Sequence, residues 1–352
     1  MYVETNKDFK KERILCALAL REYKVQERRK YLEGLLIQYS EEAGNSFFNH
    51  LSSEIRYRVE RTYSEALSSD LSIVSVFDEI YPAQLRNIYD PPPVLFGKGN
   101  LALLKQENIV AIVGSRKGDG EGVRIAHEFG QELASAGCVV VSGLALGIDA
   151  AAHAGAVQSS REGSTIAVLG NGLPDIWPVS NRQLAQDIIA QGGLILSQFD
   201  LKEPPYPQNF LDRNRVISGL ARVVLVVQAT ERSGSLVTAR YALEQGRDVM
   251  AIPGNIKNPR YAGSNRILKE GAGIATNPED ILETLGLIAH KLPQSLQVTN
   301  HPYISIIRER GEISLDDLKN LLNNPEDFNK VLLELELAEQ VVLKPGNMLS
   351  LL

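Results

Sequence analysis

Hydrophobic and polar positions divide the chain into three patterns. In residues 7–67 apolar side chains recur three and four apart, in ILCALAL, KVQERRKYLEGLLIQY and SSEIRYRVERTYSEAL, with no alternation of period two, which predicts helices. From 72 to 285 the pattern changes to short β-branched runs: SIVSVF (72–77), NIVAIVGS (108–115), CVVVSG (138–143), STIAVLG (164–170), LILSQF (194–199), RVVLVVQA (222–229) and DVMAIPG (248–254). Most of these are apolar throughout, as strands covered on both faces of a parallel sheet must be. Amphipathic stretches such as GVRIAHEFGQELASAG and GSLVTARYALEQG separate them, each closing on a Gly suited to a helix C-terminus. Repeated units of this kind predict an α/β fold, a doubly wound parallel sheet with right-handed crossovers.

The stretch 289–300 has no periodicity and reads as a linker. Beyond it, YISIIRER, SLDDLKNLL and PEDFNKVLLELELAE predict three short helices, and QVVLKPGNMLSLL two strands around a Pro-Gly-Asn turn, the make-up of a winged helix. Ser314 with Asp317 resembles a capping box at its second helix. Glu334, Glu336 and Glu339 outnumber Lys330 on the third, so the wing reads as a protein-contact or structural module rather than a DNA reader. The expected organisation is a helical domain over 1–70, a core over 71–288, the linker, and a winged-helix-like domain over 301–352.

Charge sharpens this division. The chain of 352 residues carries 37 Lys and Arg against 43 Asp and Glu, a net of −6, which excludes a broad basic coat of the kind many nucleic-acid binders display. Residues 7–30 are net +5, 31–93 net −6, 94–286 net −1 and 301–352 net −4. The basic face around Lys24, Arg28, Arg29 and Lys30 reads as a solvated helix face, with a phosphate contact as the alternative. Cys16 and Cys138 form no CxxC and have no His at metal spacing, so neither a disulfide framework nor structural zinc is expected and a reducing cytoplasm fits. Glu4, Lys7 and Asp8 precede any apolar run, which is wrong for a secretory signal. The most apolar stretch, 138–157, is interrupted by Asp149 and His153, so no membrane span is expected.

In an open parallel sheet, ligands sit beyond the carboxyl ends of the strands, and here those ends are rich in Gly, Ser and Arg. They run Gly114-Ser115-Arg116, Ser142-Gly143 leading to Gly147-Ile148-Asp149, Gly170-Asn171-Gly172, Ser233-Gly234-Ser235 and Pro253-Gly254. Glycines admit close approach and free amides at helix N-termini attract anions, so these ends predict an anion pocket. A dinucleotide site fits poorly, because Arg116 stands where the fingerprint needs its second Gly, and no acidic residue ends the following strand. Walker A and HExxH motifs are missing from the sequence. In Asn209-Phe210-Leu211-Asp212-Arg213-Asn214-Arg215, two arginines and an aromatic offer phosphate contacts and a stacking platform. The alternative is that Arg213 and Arg215 pair with Asp149 and Asp212 to brace loops. His153, one turn after Asp149, reads as a structural hydrogen-bonding group, Cys138 as core, and Trp177 as either a base platform or an apolar cap.

Taken in order, YPAQLRNIYDPPPVLFGKG, VAIVGSR, VVVSGLALGIDAAAHAGA, STIAVLGNG, RNRVISGL, SGSLVTARYAL, GRDVMAIPG and GSNRILKEGA, spanning roughly 73–285, resemble the DNA-processing protein A family (DprA, also called Smf). The resemblance implies an extended Rossmann-like core, a helical domain in front and a winged helix behind. It implies a non-enzymatic, cofactor-free cytoplasmic protein that binds single-stranded DNA, dimerises through its core and helps load RecA recombinase in natural transformation or recombination. An enzyme or sensor for a nucleotide-derived small molecule is the alternative. The DNA-binding residues implied are Gly114, Ser115, Arg116, Ser142, Gly143, Asn209, Phe210, Arg213, Asn214, Arg215, Ser233, Gly234 and Ser235. Lys202 is the nearest substitute for a lysine that some members carry just before the RNR element. Leu211 departs from a Pro common in the family, and Gln198 from a Glu.

Overall fold

The computed structural model describes residues 2–37, 47–288, 302–321, 328–337 and 340–351. Residues 1–287 and 288–352 form two compact units. In the first, helices α1 (Tyr2–Leu20), α2 (Val25–Ile37) and α3 (Ser53–Ser68) precede a sheet whose nine described strands are β1 (Ser72–Ser75), β2 (Val94–Gly99), β3 (Ile109–Val113), β4 (Val139–Ser142), β5 (Thr165–Val168), β6 (Leu194–Ser197), β7 (Val223–Val226), β8 (Asp248–Ala251) and β9 (Gly273–Ile274). Between strands lie α4 (Ala83–Arg86), α5 (Gly120–Ser135), α6 (Ile148–Val157), α7 (Arg182–Ala190), α8 (Pro207–Leu220), α9 (Ser235–Glu244) and α10 (Ala262–Lys269), with α11 (Pro278–Thr284) after β9.

The sheet order is β1-β2-β6-β5-β4-β3-β7-β8-β9. It is parallel from β6 to β9, while β1 and β2 extend it as an antiparallel pair. All seven strands read from the apolar runs are present. The run at 72–77 forms one of the two antiparallel strands, and β2 escaped notice because Pro91, Pro92 and Pro93 precede it and Gly97 and Gly99 interrupt its apolar pattern. The parallel strands carry apolar side chains on both faces for a visible reason. Along β3, Ile109, Ala111 and Val113 join a cluster containing Val216 and Leu220 of α8, whereas Val110 and Ile112 join one containing Phe129 and Leu133 of α5. Gly137 and Gly246, just past α5 and α9, adopt φ +97° and +68°, the left-handed turn that ends a helix at glycine. The N-terminal helices pack onto the antiparallel extension: Ile14, Leu15 and Leu18 share a cluster with Ile73 and Phe96.

In the second unit, α12 (Pro302–Arg310), β10 (Glu312–Ser314), α13 (Leu315–Asn320), α14 (Phe328–Leu337), β11 (Val341–Lys344) and β12 (Met348–Leu351) surround Ile307, Ile313, Leu318, Leu335, Val341 and Leu349. Its strands pair antiparallel in the order β10-β12-β11. Ser314 caps α13 by accepting the Asp317 N–H at 3.1 Å. The linker read at 289–300 and Glu339 lie outside the described residues.

Candidate anion-binding cleft

Within the parallel sheet β3 comes first in the chain, with β4 on one side of it and β7 on the other, so successive connections leave in opposite directions and a crevice opens at the carboxyl ends. A cleft of about 740 Å³ lies there. Its walls come from Gly114, Ser115, Arg116 and Lys117 after β3, Asp149 on α6, Phe210, Arg213 and Asn214 on α8, Thr230, Ser233, Gly234 and Ser235 after β7, and Arg260 after β8. Four of its side chains are basic and one is acidic, so the cleft is positive although the chain is net −6.

Arg213 is fixed from below. It is 2% exposed, and its Nη1 donates to the carbonyl of Gly143 at 2.7 Å and to that of Val168, tying α8 to the ends of β4 and β5. Burial pushes its guanidinium down to about 10, opposed by the nearby Asp149 carboxylate. Burial raises Asp149 in turn, against the pull of Arg213 and of the Gly143 N–H, which donates to its Oδ2 at 3.1 Å. Gly143 must be glycine here, since a Cβ would lie 2.6 Å from both Arg213 Nη atoms. Phe210 packs against Gly170 and carries the Arg116 guanidinium 4.7 Å from its ring centroid, with Arg213 at 5.9 Å. The ring therefore holds Arg116 in place by a cation–π contact, where the sequence suggested an open stacking platform.

The helix N-termini contribute less than their glycines promise. The Ser115 N–H donates to Gln228 O at 2.7 Å, and α5 is capped by its own carboxylate, Asp119, which accepts from Gly122 N–H at 3.0 Å. That backbone contact holds the Asp119 carboxyl below its usual range. The positive charge of the cleft comes instead from side-chain cations. Arg116, Lys117 and Arg260 are exposed, and among the described residues none has a carboxylate within ion-pairing distance.

Of the residues singled out from sequence, Gly114, Ser115, Arg116, Phe210, Arg213, Asn214, Ser233, Gly234 and Ser235 converge on the cleft. Ser142 and Gly143 sit behind it, the Ser142 hydroxyl donating to Ile112 O at 2.6 Å. Asn209 turns to Glu203 and Pro204, and Lys202, 82% exposed, pairs with Glu65 at 3.0 Å on another surface. Arg215 points away and pairs with Asp90 at 3.1 Å, not with Asp149 or Asp212. Lys117 and Arg260 escaped the sequence reading. Lys117 directly follows Arg116, and Arg260 follows Asn258, whose Oδ1 accepts its N–H at 3.1 Å. His153 is structural: its Nδ1–H donates to Thr165 Oγ1 at 2.7 Å and its Nε2 accepts the Leu144 N–H at 3.3 Å. Cys138 is buried in β-sheet surroundings, and Trp177 is 46% exposed outside the cleft lining. Among the described residues no cluster suited to a metal ion occurs and no helix is long and apolar enough to cross a membrane.

A doubly wound Rossmann-like sheet with a cation-lined cleft at its switch point defines the class, an α/β protein with a positively charged crevice at its strand ends. The residues around the cleft carry their own signature, and the chain belongs to the DNA recombination-mediator protein A family, whose model matches residues 72–286. It is 41% identical over 291 residues to Protein Smf of Escherichia coli, covering 79% of this chain and 77% of that protein. It is 46% identical over 208 residues to DNA processing protein DprA of Streptococcus pneumoniae, covering 59% and 72%. The crystal structure of DNA processing protein A from S. pneumoniae aligns with a TM-score of 0.61 at 34% identity, covering 77% of this chain and 95% of that one. DNA processing protein A from Helicobacter pylori, whose single-stranded DNA binding mode has been described structurally, aligns at 0.56 and 32% identity, covering 63% and 98%.

Proposed function

We propose that this protein binds single-stranded DNA in the cleft between β3 and β7, and that it acts as a non-enzymatic recombination mediator which helps load RecA onto the bound strand. The observation that carries this reading is the convergence of three exposed cations, Arg116, Lys117 and Arg260, on one cleft of an acidic chain. Arg116 is held over Phe210, so little side-chain freedom is lost when it meets a phosphate. With about three phosphates neutralised per protomer, one cleft binds modestly; a homodimer through the core joins two clefts on one strand and gains by effective concentration. In this reading the protein is cytoplasmic, and the C-terminal unit, with the element order of a winged helix, contacts a protein partner.

The test is fluorescence anisotropy of labelled oligo-dT and of duplex DNA at 50 and 200 mM salt. Three contacts on a single strand give a log–log salt slope near −2, or roughly a 20-fold loss of affinity between those salts. Arg116→Ala should weaken binding and flatten the slope by about 0.7. Unchanged affinity in Arg116→Ala, or a preference for free nucleotides regardless of polymer length, would refute the assignment of the cleft.

A further inference from the structure

We infer that Arg215 and Asp90 are positioning residues for the cleft, and that through Arg28 they couple the N-terminal helices to the face of α8 that carries Phe210, Arg213 and Asn214. The inference rests on the reading of the cleft as a DNA site.

Residues two apart on a helix point to nearly opposite sides, so Arg213 and Arg215 cannot serve the same surface. Arg213 faces the cleft. Arg215 faces a second cavity of about 830 Å³ between the N-terminal helices and the core. There its Nη2 meets Asp90 Oδ2 at 3.1 Å, while Nη2 of Arg28, from α2, meets Asp90 Oδ1 at 2.5 Å. The three side chains are 12%, 17% and 16% exposed for Arg28, Asp90 and Arg215, so the cluster is shielded from screening by salt. Asp90 belongs to the segment entering β2, which is itself anchored where the buried Tyr81 hydroxyl donates to Pro92 O at 2.8 Å. One carboxylate thus joins α2, the sheet extension and α8.

This second cavity is no phosphate site. Its lining holds four arginines against five carboxylates, and all four arginines are paired, with Arg21–Asp200 at 2.6 Å and Arg58–Glu22 at 2.8 Å completing the set. Within the cluster two guanidiniums share one carboxylate, and Arg28 Nε and Arg215 Nη1 are buried without a partner. Removing Asp90 strands two buried cations and is severe; removing either arginine leaves a balanced pair. Arg215 and Arg28 are therefore the informative positions, and their loss should be felt at the cleft through the orientation of α8.

The experiment uses the full chain and compares Arg215→Gln, Arg28→Gln, Asp90→Asn, the Asp90→Asn/Arg215→Gln double variant and Arg116→Ala, by oligo-dT anisotropy at 50 and 200 mM salt and by thermal melting. Arg215→Gln and Arg28→Gln should each weaken binding by roughly fivefold or more at both salts, with the salt slope of wild type and little change in melting temperature. Asp90→Asn should melt lowest of all, and adding Arg215→Gln should restore part of that loss. A slope flattened as in Arg116→Ala would show that Arg215 touches phosphate and would overturn the positioning role; wild-type affinity in Arg28→Gln would overturn the coupling to the N-terminal helices. If wild type and Arg116→Ala both fail to bind in a salt-dependent way, it is the DNA reading of the cleft that fails, a result distinct from either.

Discussion

Lowering the pH from 7 to 5 should destabilise the core through His153, and the size of the effect follows from its surroundings. The imidazole is fully buried on α6, giving its one proton to Thr165 and accepting from the Leu144 N–H. Nε2 already faces the Leu144 N–H donor, and the backbone of Ser142, which favours the charged ring, does not offset the burial. Burial accordingly pushes His153 down from 6.5 to about 3. The unfolded chain takes up a proton as the pH falls below 6.5 while the folded chain stays neutral, so stability is lost progressively from about pH 6.5 down to about 3. At pH 5 the gap of about 1.5 units below the unfolded value amounts to roughly 2 kcal/mol. Asp149 and Asp78, both raised by burial, act in the opposite sense, since their folded forms bind a proton more readily at acid pH. The clean measurement is therefore a difference of differences: urea unfolding of wild type and His153→Gln at pH 7 and pH 5, followed by the fluorescence of Trp177, the single Trp of the chain. Wild type should lose about 2 kcal/mol more than the variant. Equal losses in the two proteins would refute the neutral, doubly bonded imidazole.

Two further outcomes follow from local geometry. Gly147 opens α6 with φ +76°, and a Cβ there would lie 2.5 Å from Ser115 O, so Gly147→Ala should cost about 2 kcal/mol or more, seen as a lower melting temperature, and should weaken DNA binding by shifting the Arg116 loop. Burial pushes the thiol of Cys16 up to about 12 and that of Cys138 up to about 11, so a disulfide reagent such as Ellman's should find no reactive thiol in the native protein at pH 8 and both of them in urea.

The strands were legible in the sequence because burial on both faces leaves continuous runs such as VVLVV, and the helix ends because Gly137 and Gly246 occupy a backbone region other residues avoid. The antiparallel β2 was not, since its pairing with β6 depends on a partner a hundred residues away and its own composition, three prolines followed by two glycines, reads as loop. The cleft was legible to the extent that it is built from strand ends. What local reading could not supply was direction. Asn209 and Arg215 lie in the same short motif as Phe210 and Arg213, yet the helical turn sends them elsewhere. Nor does a glycine-rich end reveal that its amides are already committed, as those of Ser115 and Gly122 are.

Net charge and binding chemistry separate for the same reason. In the second cavity four arginines face five carboxylates, and each arginine is in an ion pair, so these charges largely offset one another. Among the described residues Arg116, Lys117 and Arg260 have no carboxylate within ion-pairing distance, and the proposed binding of a short run of phosphates rests on these three cations around one crevice. A chain that binds this way has few contacts to lose to salt and little attraction for duplex DNA elsewhere on its surface. If the cleft takes DNA as proposed, a preference for single strands is expected, because a flexible strand can adjust successive phosphates to cations carried on separate loops, whereas a duplex holds its charges on a rigid cylinder.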